Sequence, residues 1–141
     1  MNPADELRTA AEKIRTLAAA AADDSGNTIW KATRHFPDQP DSTFTTLWAV
    51  GVKPLLRGGR RPPAYVSAPV GDYAATMHPA VGLALADWLD QAARHYDAGV
   101  QAADDVFRDD PAGREAFLTT GPGAPSKQAL AVARAINGTA S

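Results

Sequence analysis

Thr28-Ile29-Trp30-Lys31-Ala32-Thr33-Arg34-His35-Phe36 is the stretch on which the fold turns. Before it the apolar residues keep helical spacing. Here they alternate with polar ones, and β-branched and aromatic types concentrate, as a half-buried strand requires. Pro37-Asp38-Gln39-Pro40-Asp41-Ser42 follows with turn chemistry. A second alternating stretch covers residues 43–52, with Phe44, Thr46, Trp48 and Val50 on one face. Pro54 stands at its end, where a missing N–H matters least. Residues 55–63 read as a basic loop rich in Gly and Pro, and residues 64–68 as a short third strand. Three consecutive strands with short connections predict an antiparallel meander over residues 28–68.

On the N-terminal side, residues 1–24 read as a helix. Asn2 can cap it, Pro3 suits its first position, and Asp5 and Glu6 favour its positive end. Leu7, Ala10, Ile14, Leu17 and Ala21 form one stripe, and Asp23-Asp24-Ser25-Gly26-Asn27 closes the helix. On the C-terminal side, Asp72 caps a short turn through Met77, and Pro79 opens a longer helix with His78 near its cap. Leu85, Leu89, Ala92, Tyr96, Gly99, Ala103 and Val106 line that helix at heptad spacing, and Gly99 predicts a break near it. A short helix over residues 111–118, a linker over 119–125, and a last helix capped by Ser126 and stopped by Asn137-Gly138 complete the chain. The expectation is a single α+β domain over residues 1–141. It comprises an N-terminal helix (1–24), a three-stranded antiparallel meander (28–68), and a helical region (72–138) whose three helices pack on one sheet face.

Composition narrows the function classes. The chain has 141 residues, a net charge of −2 and no Cys, which excludes a disulfide framework, a thiolate metal site and a Cys nucleophile. No apolar run approaches the roughly 18–20 residues that span a bilayer, so no membrane contact is expected. Residues 1–25 lack a basic segment followed by an apolar block, so the reading expects no secretory signal and a cytoplasmic location. Ala supplies 30 residues, and Arg outnumbers Lys ten to four, a bias typical of GC-rich coding. Because Ala buries little area, the core must rely on close helix contact.

Catalytic chemistry finds no footing in this sequence. His35, His78 and His95 share no metal-ligand spacing, and none adjoins a Glu in a zincin pattern. Asp87 and Asp90 share a helix face, which reads as a solvated one, with Arg94 in reach of Asp90. No Ser sits in a nucleophile elbow, Gly58-Gly59-Arg60-Arg61 lacks the ending of a phosphate loop, and the prolines around Gly121 and Gly123 remove donors. The expectation is therefore no catalytic residue, no metal and no cofactor. A hydrolase or metal enzyme using two converging histidines and an Asp is the remote alternative.

Charge is segregated along the chain: −2 over residues 1–30, +4 over 31–61 and −4 over 62–141. The positive segment marks Lys31, Arg34, Trp48, Lys53, Arg57, Arg60 and Arg61 as candidate partner-binding residues, with Trp30, Phe36, Phe44 and Tyr65 interleaved. A protein partner is the leading reading. A nucleic acid, with cations on phosphates and rings under bases, is the second, and an acidic pI of about 5.8 weighs against it. A homodimer is compatible with either, because the small-residue stripes could pair between chains.

Asp72-Tyr73-Ala74-Ala75-Thr76-Met77-His78-Pro79-Ala80-Val81-Gly82-Leu83-Ala84-Leu85 resembles a segment of small accessory proteins from the early regions of temperate phages, the Ead-like group, and of actinobacterial and actinophage proteins. In those, a Tyr- and Ala-rich turn precedes an Asn-Pro or His-Pro dipeptide and a Leu-rich helix. A Thr-Pro-Gly-Pro-Trp motif often precedes their first strand. Gly26-Asn27-Thr28-Ile29-Trp30 holds that place here and keeps the Trp. The resemblance carries no catalytic residues. It implies mobile-element ancestry and a non-enzymatic accessory role.

Overall fold

Asn2 starts the first helix as its sequence suggests: its side-chain oxygen accepts from the Asp5 N–H at 3.0 Å, and Pro3 follows. The computed structural model describes residues 1–39, 44–56 and 66–139. Among these the order is α1 (Pro3–Ser25), β1 (Trp30–Arg34), β2 (Phe44–Ala49), β3 (Lys53–Leu56), β4 (Val66–Ser67), α2 (Ala68–Thr76), α3 (Pro79–Val106), α4 (Pro111–Thr119) and α5 (Lys127–Asn137). The fold is α+β: an N-terminal helix, an open antiparallel sheet, then helices. The chain gathers into two units, residues 1–15 with 85–141, and residues 16–84.

The first unit is a helical cluster built on small side chains. Ala4, Ala10 and Ala11 of α1, Ala86 and Ala93 of α3, and Ala129 and Ala133 of α5 form its buried core with Leu7, Leu89 and Leu130. Alanine at the contacts lets helix backbones approach closely, so dispersion between packed backbones replaces the burial of large side chains. Charged pairs rim the cluster. Arg15 reaches both Asp87 (3.1 Å) and Asp90 (2.7 Å), Arg134 forks onto Glu6, and Arg8 pairs with Asp97. α3 runs unbroken through Gly99, contrary to the expected break. The physical reason is that one glycine weakens a helix by about 1 kcal/mol without ending it, and Gly99 lies against the loop at Gly123, where even a Cβ would find ordinary contact, 3.4 Å from the Gly123 Cα. α5 has the expected ends, with Ser126 accepting from the Ala129 N–H and Gly138 left-handed at its close.

The second unit holds the sheet. β2 is central: β1 pairs antiparallel along one edge, and β3 and β4 pair along the other. The second strand stops at Ala49, short of the expected residue 52, because Gly51 at φ 71 turns the chain back. Lys53–Leu56, read from sequence as the strand's end and the start of a loop, is a strand of its own. It accommodates Pro54 at an edge, next to a bulge in the pairing with β2. The described sheet therefore has four strands where three were expected. α2 begins at Ala68, earlier than the Asp72 start read from sequence, because Ser67 leads directly into a proline-initiated turn.

α2 packs on one face of the sheet through Ala68, Gly71 and Ala75. Gly71 sets the approach: a Cβ there would meet the Thr45 Cγ2 at 2.8 Å and the Val66 Cγ1 at 3.1 Å. The chain enters β1 over a polar clasp. Trp30 Nε1 donates to Ser25 Oγ at 3.0 Å, and the Asn27 side chain donates to the Val50 carbonyl at 2.8 Å.

Candidate functional site

Antiparallel register assigns every strand residue a face. Ala32 is opposite Leu47, Trp30 opposite Ala49, and Arg34 opposite Thr45, so these six share the face that α2 covers. Lys31 is opposite Trp48 and Thr33 opposite Thr46, so these four take the other face. The expectation that Phe44, Thr46 and Trp48 share one face agrees with this register. α2 lies on the first face and not on this one. On it Trp48 is 39% exposed and Phe44 49%. Phe36, 62% exposed, follows at the end of β1 with a left-handed φ of 51. Exposed rings mark an interaction surface only where they join into a contiguous apolar patch.

The candidate residues divide. Lys31 and Trp48 are direct cross-strand partners on the open face, with the lysine exposed beside the indole. Arg34 and Lys53 are exposed at the register positions of the other face, opposite Thr45 and Ala49. Arg57, Arg60, Arg61 and Tyr65 lie outside the described residues. Trp30 is half-buried and its N–H is engaged by Ser25, so it belongs to the packing of β1 and not to an exposed patch. Thr46, buried on the open face, bonds His35 Nε2 at 2.6 Å. This contact ties β1 to β2 beneath the rings.

The other residues that the sequence singles out for chemistry have the following surroundings. His78 Nδ1 lies 2.9 Å from the Thr28 carbonyl, which also accepts from the Ala80 N–H at 3.1 Å. A carbonyl only accepts, so Nδ1 carries the proton in this contact. His95 is exposed on α3. Asp87 and Asp90 face Arg15, and Asp90 takes that partner at 2.7 Å in place of the expected Arg94. Among the described residues no three His, Asp or Glu side chains gather as a metal ion needs. The clearest electrostatic perturbation is at Glu6, whose carboxyl is held below its ordinary range by the hydrogen bond from Arg134, with desolvation opposing.

One feature lay outside the sequence reading. A groove of about 660 Å³ runs along the outer edge of β1, between Trp30, Lys31 and Ala32 on one side and Asp72, Ala75 and Thr76 of α2 on the other. No periodicity signals it, because whether a strand is central or at an edge depends on pairing order. No helix among the described residues is long and apolar enough to cross a membrane. No family model, curated protein or solved structure matches the chain.

Proposed function

We propose that the chain is a small non-enzymatic accessory protein that binds a protein partner through the open face of its sheet. The observation that carries this reading is Trp48, exposed and set directly opposite Lys31 on the face away from α2. An indole beside a lysine offers a large rigid contact area with a charged rim, the composition from which binding hot spots are built. The excess of positive charge over residues 31–61 suits an acidic partner surface. The resemblance of residues 72–85 to phage accessory proteins supports a mobile-element origin and agrees with a role without catalysis.

The test uses the immobilised full chain in lysate of the source organism, with retained proteins read by mass spectrometry. A discrete retained protein, lost on Trp48→Ala and on Lys31→Glu while circular dichroism stays unchanged, supports the reading. Retention indifferent to both substitutions overturns it. A complex with mixed-sequence single-stranded DNA at low salt, weakening steeply as salt rises, replaces it with nucleic-acid binding.

A further inference from the structure

We infer that the outer edge of β1 is a strand-addition site for an extended, acidic segment of a partner protein. The inference rests on the reading of the chain as a protein-binding module, but it uses different atoms: main-chain groups at an edge, not rings on a face.

The hydrogen-bond pattern identifies those atoms. The Val50 N–H donates to the Ile29 carbonyl at 3.0 Å, and the His35 N–H donates to the Phe44 carbonyl at 2.9 Å. In an antiparallel ladder bonded pairs alternate with non-bonded ones, so the register places Lys31 with Trp48 and Thr33 with Thr46 among the bonded pairs. The N–H and C=O groups of Trp30, Ala32 and Arg34 therefore point away from β2. Among the described residues no strand pairs with β1 on that side. An edge of this kind is a template for another strand.

The surroundings shape the template into a site. α2 packs over β1 and β2, and the groove of about 660 Å³ lies between it and the strand edge. The groove's wall is held in place, because the Thr28 carbonyl accepts from both His78 and the Ala80 N–H, fixing the entry to β1 against the start of α3. A strand added here would alternate its side chains. One set would lie beside Trp30 and Ala32 and meet Ala75 and Thr76, where small apolar groups fit. The other set would lie beside Lys31 and Thr33, where carboxylates find a cation. Main-chain bonds supply affinity in such complexes and alternate side chains supply specificity. Lys31 on the open face and Arg34 on the other, two cations on a five-residue strand, disfavour a second copy of β1; Asp72 across the groove repels carboxylates there, so an acidic chain would set them on the Lys31 side.

The probe is a phage-displayed library of random peptides of about eight residues, the length of a short strand, selected on the full chain. The inference expects enriched peptides that alternate acidic with small apolar residues. Ala32→Pro removes an edge donor without breaking the ladder to β2, so circular dichroism and Tm should hold while peptide affinity falls about tenfold or more. If that variant does not fold, the wild-type chain is tested with the selected peptide N-methylated at alternate residues, which should lose binding equally. In amide exchange, Trp30, Ala32 and Arg34 should exchange fast in the free chain and slow with peptide, while Lys31 and Thr33 are slow in both. No enrichment, or binding indifferent to Ala32→Pro and to N-methylation, overturns the inference. Peptide binding lost on Trp48→Ala but not on Ala32→Pro overturns it and leaves the open-face reading standing. Self-association abolished by Ala32→Pro overturns it in favour of a second copy.

Discussion

Gly71→Ala probes the contact that divides the sheet into a covered face and an open one. An added Cβ would lie 2.8 Å from the Thr45 Cγ2, 3.1 Å from the Val66 Cγ1 and 3.5 Å from the Thr45 Cβ. Thr45 is fully buried on the central strand and β-branched, so its methyl cannot swing away without leaving its rotamer. Overpacking of this kind costs about 1–3 kcal/mol. Replacing glycine within a helix returns about 0.8–1 kcal/mol of propensity. The balance is a net loss of up to about 2 kcal/mol, or as much as several degrees in Tm. Urea titration followed by far-UV circular dichroism and tryptophan fluorescence measures it. Thr45→Ser removes the clashing methyl and keeps the hydroxyl, so the double variant should recover about 1 kcal/mol relative to the sum of the singles. A gain in stability from Gly71→Ala alone, as an open helix position would give, refutes the close approach of α2. Strict additivity in the cycle refutes Thr45 as the obstacle.

Three further outcomes follow from the helical unit. Ala10→Leu, at a fully buried contact, should destabilise by about 1–3 kcal/mol, while Ala19→Leu at an exposed position of the same helix should stay within about 0.5 kcal/mol; equal effects in denaturant titration would contradict the packing of α1. Ser126→Ala should cost about 0.5–2 kcal/mol by removing the acceptor for the Ala129 N–H, read by the same titration. Glu6 has a lowered folded-state value, so the unfolded chain binds its proton more readily. The stability it contributes is complete above the ordinary carboxyl value of 4.5 and is lost as pH falls through the lowered one. The Tm difference between wild type and Glu6→Gln should therefore be constant at neutral pH and shrink only in acid; a difference that grows in acid would contradict the pairing with Arg134.

Much of the architecture was legible because local chemistry specifies it. Asn2-Pro3 opens α1, and Ser126 and Gly138 bracket α5, each a short-range signal with a single geometric meaning. Alternation across residues 28–52 carried the period of β1 and β2. What eluded the sequence was long-range. Lys53–Leu56 contains a proline and follows a glycine turn, so its local chemistry spoke for a loop, yet pairing with β2 makes it a strand. Gly99 would weaken an isolated helix, but the packing of a 28-residue helix carries it through. The site was legible to the same extent. Segregated charge pointed to the sheet and to Lys31, whereas register alone separates Lys31 and Trp48 from Arg34 and Lys53, and strand order alone reveals the edge of β1 that no described strand pairs.

The most direct test replaces Trp48 with an aromatic photo-crosslinking residue, which keeps a large ring at the position, in cells of the source organism, with the same residue at Val106, another exposed position, as control. The account expects a discrete protein adduct from position 48 that disappears when Lys31→Glu is added and that position 106 does not give. Adducts with nucleic acid, or the same adducts from both positions, would contradict it.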